Sequence, residues 1–116
     1  MENLFAVNPV LKEKEVVILG VGKESLLMFS VLLQNGIYVS KFLDRYHLLS
    51  ENVGIMNKPV VDVSDIENSK KDIVIVGGGR ALLNEAEELS KAGFCVLFDY
   101  NFTAYEGDSV IIKGTD

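Results

Sequence analysis

A chain of 116 residues, 48% hydrophobic and 24% charged, has the make-up of one globular domain, short for a full doubly wound sheet. Its net charge of −6 excludes a general nucleic-acid binder, which needs a basic face, but allows a nucleotide held by backbone amides. One cysteine, Cys95, cannot form an internal disulfide and fits a reduced, cytoplasmic setting. The apolar runs are too short or too interrupted for a signal peptide or a membrane span.

Residues 1–14 read as a lead-in, with a turn at Asn8-Pro9 and a charge cluster at residues 12–15. The core is expected over 15–100. Residues 16–19 (Val-Val-Ile-Leu) form an unbroken β-branched and aliphatic run, as a parallel strand covered on both faces requires. Gly20-Val21-Gly22 then turns the chain into a helix over 24–34, which Asn35-Gly36 ends. Leu26, Leu27, Met28, Phe29, Val31, Leu32 and Leu33 make that helix apolar around nearly its whole circumference. Such a helix is buried on more than one side, either by the tail and a neighbouring helix or by a second copy or second domain.

Residues 37–43 are the next strand, closed by Asp44-Arg45. Residues 46–59 are irregular, Val60-Val61 is a short strand, and Ser64 is expected to cap one helical turn. Residues 72–76 form a second strongly apolar strand running into Gly77-Gly78-Gly79. An amphipathic helix over 80–92 follows, capped by Gly93, and then a strand over 94–98. The tail, 101–116, carries an edge-strand candidate at 110–113. This order predicts an α/β domain: a small three-layer fold with a mostly parallel sheet of about five strands and right-handed crossovers.

The ligand-binding candidates lie in the two glycine turns. Gly20-Val21-Gly22-Lys23-Glu24-Ser25 approximates G-x-G-x-x-G, with Ser25 as the small residue in place of the third glycine. Glycine at a strand's carboxyl end permits a tight turn, and the helix behind it aims unpaired N–H groups and a positive dipole end at the same spot, which favours phosphate. Asp44 stands where such folds grip a ribose hydroxyl, Lys23 offers a cation to phosphate, and Arg45 a second phosphate or base contact. The bland alternatives are that the glycines serve only the turn and that Asp44, Lys23 and Arg45 are solvated. For residues 77–79 the alternatives are room for a ligand against the backbone or a flexible loop.

The remaining chemistry-bearing residues favour no catalysis. His47 has no partner cluster in the sequence and reads as a solvated loop residue. Cys95 reads as an inert core thiol; Tyr100, Phe102 and Tyr105 offer rings to stack on a base, with packing of the tail onto the sheet the favoured reading. No nucleophile triad, P-loop or metal-ligand spacing is present, so neither catalytic nor metal-binding residues are assigned.

Val17-Ile18-Leu19-Gly20-Val21-Gly22, Phe42-Leu43-Asp44-Arg45, Lys58-Pro59-Val60, Ile75-Val76-Gly77-Gly78-Gly79-Arg80 and Ala92-Gly93-Phe94 together resemble the N-terminal Rossmann-like domain of bacterial sugar acetyltransferases. These are the sialic-acid and bacillosamine types of surface-glycan synthesis, with related polysaccharide-biosynthesis proteins. The resemblance spans roughly residues 15–100. It implies a domain holding the nucleotide part of a UDP-sugar, with Gly20, Gly22, Asp44 and the turn at 77–79 near the ligand. It also implies a domain that is not catalytic alone, because the family's catalytic histidine belongs to a hexapeptide-repeat β-helix that nothing here resembles. Arg45 replaces an acidic residue frequent in the family. Two further classes compete: a ligand-free interaction module that dimerises through helix 24–34, and an NAD(P)-binding fragment with Arg45 meeting a 2′-phosphate.

Overall fold

The computed structural model describes residues 10–44, 54–55 and 57–102. The elements in chain order are α1 (Val10–Glu13), β1 (Glu15–Leu19), α2 (Lys23–Gln34), β2 (Val39–Leu43), β3 (Gly54–Ile55), β4 (Lys58–Val61), α3 (Val63–Ile66), β5 (Ile73–Gly78), α4 (Leu83–Lys91) and β6 (Cys95–Asp99). A 3-10 turn, Glu67–Ser69, extends α3, and another, Arg80–Leu82, precedes α4.

The strands form one sheet in the order β3-β4-β2-β1-β5-β6. Five of them run parallel, and only the two-residue β3 is antiparallel, at the edge beside β4. This is a small Rossmann-like α/β fold. The expected irregular stretch before β4 therefore contributes an extra pairing, Gly54 opposite Pro59 and Ile55 opposite Lys58. Four residues of the expected lead-in are helical, and Leu11 buries there against the core of α2.

Alternation along the two central strands divides the core. Val16, Ile18, Val74 and Val76 point to one face, where Met28, Phe29 and Leu32 of α2 meet Phe42, Ile37 and Phe102. Val17, Leu19, Ile73 and Ile75 point to the other, under Ile66 of α3 and Ala86 and Leu89 of α4. The strands are thus covered on both sides, which is why they read as continuous apolar runs rather than as alternating ones.

Both long helices end as expected on glycines in the left-handed region, Gly36 (φ 76°) and Gly93 (φ 101°). Beyond them, the Ile37 N–H donates to the Leu32 carbonyl at 2.9 Å, and the Phe94 N–H to the Leu89 carbonyl at 3.1 Å. These bonds satisfy carbonyls that the helix itself leaves open. The start of α3 differs from expectation: its N-cap is Asp62, not Ser64. Asp65 closes a capping box by accepting from the Asp62 N–H at 2.8 Å, and the Ser64 hydroxyl donates to the Asp62 carboxylate at 3.0 Å.

Candidate functional site

Strand order reverses at β1. From β1 the chain goes through α2 to β2 and on to β4, then returns across the sheet to β5 on the other side of β1. The helix after β1 covers one face and the helix after β5 the other, so they diverge above the carboxyl ends of these adjacent strands. In open α/β sheets that divergence opens a ligand crevice.

The first glycine turn forms one wall. The Gly20 N–H donates to the Leu43 carbonyl at 2.7 Å, which ties the turn to the end of β2. Gly20 is left-handed (φ 88°), and a Cβ there would stand 2.8 Å from Leu82 Cδ1 and 2.9 Å from Ser25 Oγ. Its bareness lets the two turns pack together. Ser25 is buried and donates its hydroxyl to the Leu19 carbonyl at 2.9 Å, so a small polar residue holds α2 close to β1. Val21 packs on the α2 core.

Gly22 is the N-cap of α2, extended (φ −85°), exposed, and with open space where a Cβ would be. The first main-chain bond inside α2 runs from the Leu26 N–H to the Gly22 carbonyl at 3.1 Å. The N–H groups of Lys23, Glu24 and Ser25 therefore precede the helical ladder. Lys23 is exposed.

Asp44 lies beside this turn, at the end of β2. Its N–H donates to the Val61 carbonyl at 2.9 Å, and its side chain is buried rather than solvated. The turn of Gly20, Val21, Gly22 and Lys23 and the residue Asp44 thus stand at the carboxyl ends of the adjacent strands β1 and β2. Arg45 and His47 lie outside the described residues.

The second glycine run is not a loop. Gly77 and Gly78 close β5, opposite Phe98 and Asp99 of β6, and only Gly79 (φ 97°) turns the chain. Side chains fill the space the two strand glycines leave. A Cβ on Gly77 would lie 3.1 Å from Leu19 Cβ, and one on Gly78 only 2.7 Å from Phe102 Cβ and 2.9 Å from Met28 Cε. Ladder pairing makes Gly77 and Gly78 strand rather than loop, and packing on both faces takes the room that their missing Cβ atoms leave, so neither expectation for residues 77–79 describes these two.

Beside this run a cavity of about 380 Å³ opens, lined by Glu24, Gly78, Gly79 and the Arg80–Leu82 turn, with Asn101 and Phe102 opposite. Its size is at the lower end for a small-molecule site. Asp99, at the end of β6, braces the turn that carries Asn101 and Phe102. The Asp99 carbonyl accepts from the Gly79 N–H at 3.0 Å and the Phe102 N–H at 3.1 Å, and its carboxylate accepts from the Asn101 N–H at 3.0 Å. Asp99 is buried, so this turn is fixed from within.

Sequence reasoning missed Glu24 and Asn101 as lining residues, and Asp99 as the residue that fixes the turn behind them. The Asp99-x-Asn101 spacing carries a detectable signal, an Asx-type turn ending a strand. Among the described residues no group of three or more His, Cys, Asp or Glu could hold a metal ion, and no helix is long and apolar enough to cross a membrane.

Compared with models of protein families, with curated proteins and with solved structures, the chain shows no significant match.

Proposed function

We propose that this domain binds a nucleotide, with a UDP-sugar favoured over NAD(P), in the crevice between β1 and β5, and supplies binding rather than catalysis. The observation that carries the reading is the strand-order reversal at β1, coinciding with a glycine turn that opens α2. The uncommitted amides at the start of α2 suit phosphates, with Lys23 adding a cation. Asp44, at the end of the neighbouring strand, suits hydroxyls of the ribose or base edges. The resemblance to the N-terminal domains of bacterial sugar acetyltransferases supports the same ligand class and a role in surface-glycan synthesis.

The test is a thermal-shift panel of UDP, CDP, UDP-N-acetylglucosamine, CoA, NAD and NADP on wild type and Gly22→Asp. A ligand that binds only the folded chain raises its melting temperature, by an amount worth about 2.7 kcal/mol at a hundredfold excess over Kd. Gly22→Asp is a clean probe: the position is open, and aspartate is itself a good N-cap, so the fold is kept while a carboxylate occupies the anion position. A uridine-nucleotide shift that the variant abolishes is the expected result. Cooperative melting with no shift from any compound refutes the reading.

A second reading has its own observation. Leu33 of α2 and Tyr38 just before β2 are 60% and 70% exposed, large apolar groups left outside the core. An interaction module using this end of α2 would show a concentration-dependent dimer in sedimentation velocity, indifferent to nucleotide and lost in Leu33→Glu.

A further inference from the structure

The cavity at the ends of β5 and β6 holds side chains that a phosphate-and-ribose site does not use. Glu24 reaches it from α2, Arg80 from the turn after β5, and Asn101 from the turn after β6. The Arg80 guanidinium lies over the Tyr100 ring, 5.4 Å from its centroid. A cation–π contact uses none of the guanidinium's N–H donors as a hydrogen bond to an anion, so the planar fork still matches a carboxylate. Among the described residues no carboxylate pairs with Arg80, and the Glu24 side chain makes neither a hydrogen bond nor an ion pair.

A cationic and an anionic residue therefore border the same space with no ion pair between them. A dianionic phosphate placed there gains from Arg80 but is repelled by Glu24, and a wholly neutral group leaves the guanidinium unanswered. A singly charged acid that also carries hydroxyl or amine donors satisfies both: its carboxylate on Arg80, its donors on the Glu24 carboxylate and the Asn101 amide oxygen. We propose that this cavity is a subsite for such a hydroxy- or amino-acid group, set beside the phosphate position. The inference rests on the crevice being a ligand site. The acid is either the distal part of the nucleotide ligand or a separate small molecule.

The matched probes are UDP-glucose and UDP-glucuronic acid, which differ only in a hydroxymethyl against a carboxylate, together with UDP and free glucuronate. Titration calorimetry on wild type is expected to show UDP-glucuronic acid binding about tenfold more tightly than UDP-glucose, the worth of one charge-assisted pair. Arg80→Gln, at an exposed position, is expected to bring the ratio of the two affinities to about one. Binding of glucuronate alone, lost in Arg80→Gln, supports the subsite with a separate acid as its occupant. Equal affinity for the two UDP-sugars, or a preference that survives Arg80→Gln, overturns the subsite and leaves the nucleotide reading standing. Binding of none of the four probes overturns both.

Discussion

Replacing Gly78 by alanine asks whether the glycine run after β5 is bare for packing. The added methyl would sit 2.7 Å from Phe102 Cβ, 3.0 Å from Phe102 Cγ and 2.9 Å from Met28 Cε. Met28 Cε ends a flexible side chain and can turn aside. Phe102 Cβ cannot, because it is attached to backbone held by the bond from the Phe102 N–H to the Asp99 carbonyl. Overpacking of this kind costs about 1–3 kcal/mol. The stiffer unfolded chain that alanine brings offsets about 0.4–1 kcal/mol of it. A net loss of about 1–2 kcal/mol follows, or a fall of about 4–8 °C in melting temperature for a domain of this size. The assay is thermal and urea unfolding beside Gly22→Ala, whose Cβ meets open space and whose expected change is within about 0.5 kcal/mol. In a Phe102→Ala background the cost of Gly78→Ala should shrink by about 1 kcal/mol, since the two sites touch. Equal melting of Gly78→Ala and Gly22→Ala would refute the packing argument.

Ser25→Ala removes a buried hydroxyl from the Leu19 carbonyl and should cost about 1 kcal/mol in urea unfolding. An unchanged midpoint there would mean that the hydroxyl does not secure α2 to β1. Glu15 is held below the ordinary carboxylate range, first by the Ser40 hydroxyl donating at 2.6 Å, against an opposing effect of burial, with Lys41 at 3.1 Å lowering it further. A carboxyl depressed in the folded state stabilises above its unfolded value, about pH 4.3, and that contribution is lost as pH falls through the lower folded value. Ser40→Ala should therefore be less stable than wild type at pH 7, with the gap narrowing in acid. A gap that is constant from pH 7 to about pH 3 would separate Ser40 from the Glu15 titration.

The central strands were legible because Val16 to Leu19 and Ile73 to Val76 are apolar at every position, as burial on both faces demands. The caps at Gly36 and Gly93 were legible for a similar reason: a local conformation requires that residue type. The place of Ser25 followed from the need for a small residue where helix meets strand. Gly77 and Gly78 were not legible as strand, since their pairing partners and the Phe102 ring arrive from about twenty residues downstream, and glycine otherwise signals a turn. Ser64 and Asp62 are both good caps, and only the reciprocal bond to Asp65 decides between them. Asp99 was legible only as an Asx-type turn ending a strand; the bonds its carbonyl accepts from Gly79 and Phe102 involve backbone alone and leave no trace in side-chain pattern.

Among the described residues, the strand that comes first in sequence stands in the middle of the parallel strands. β1 pairs on one side with β2, but its other edge waits for β5, with Glu15 opposite Ile73. A ribosome that has released the chain only as far as Val61 has supplied β1, β2 and β4, yet one whole edge of the apolar strand β1 is bare. That edge is a template for any other extended chain. Synthesis through residues 73–78 closes it, so the stretch between β4 and β5 is an interval of vulnerability for the nascent protein. By the same geometry a fragment cut after β4 should aggregate on its own, and should be rescued by a fragment carrying β5 and β6.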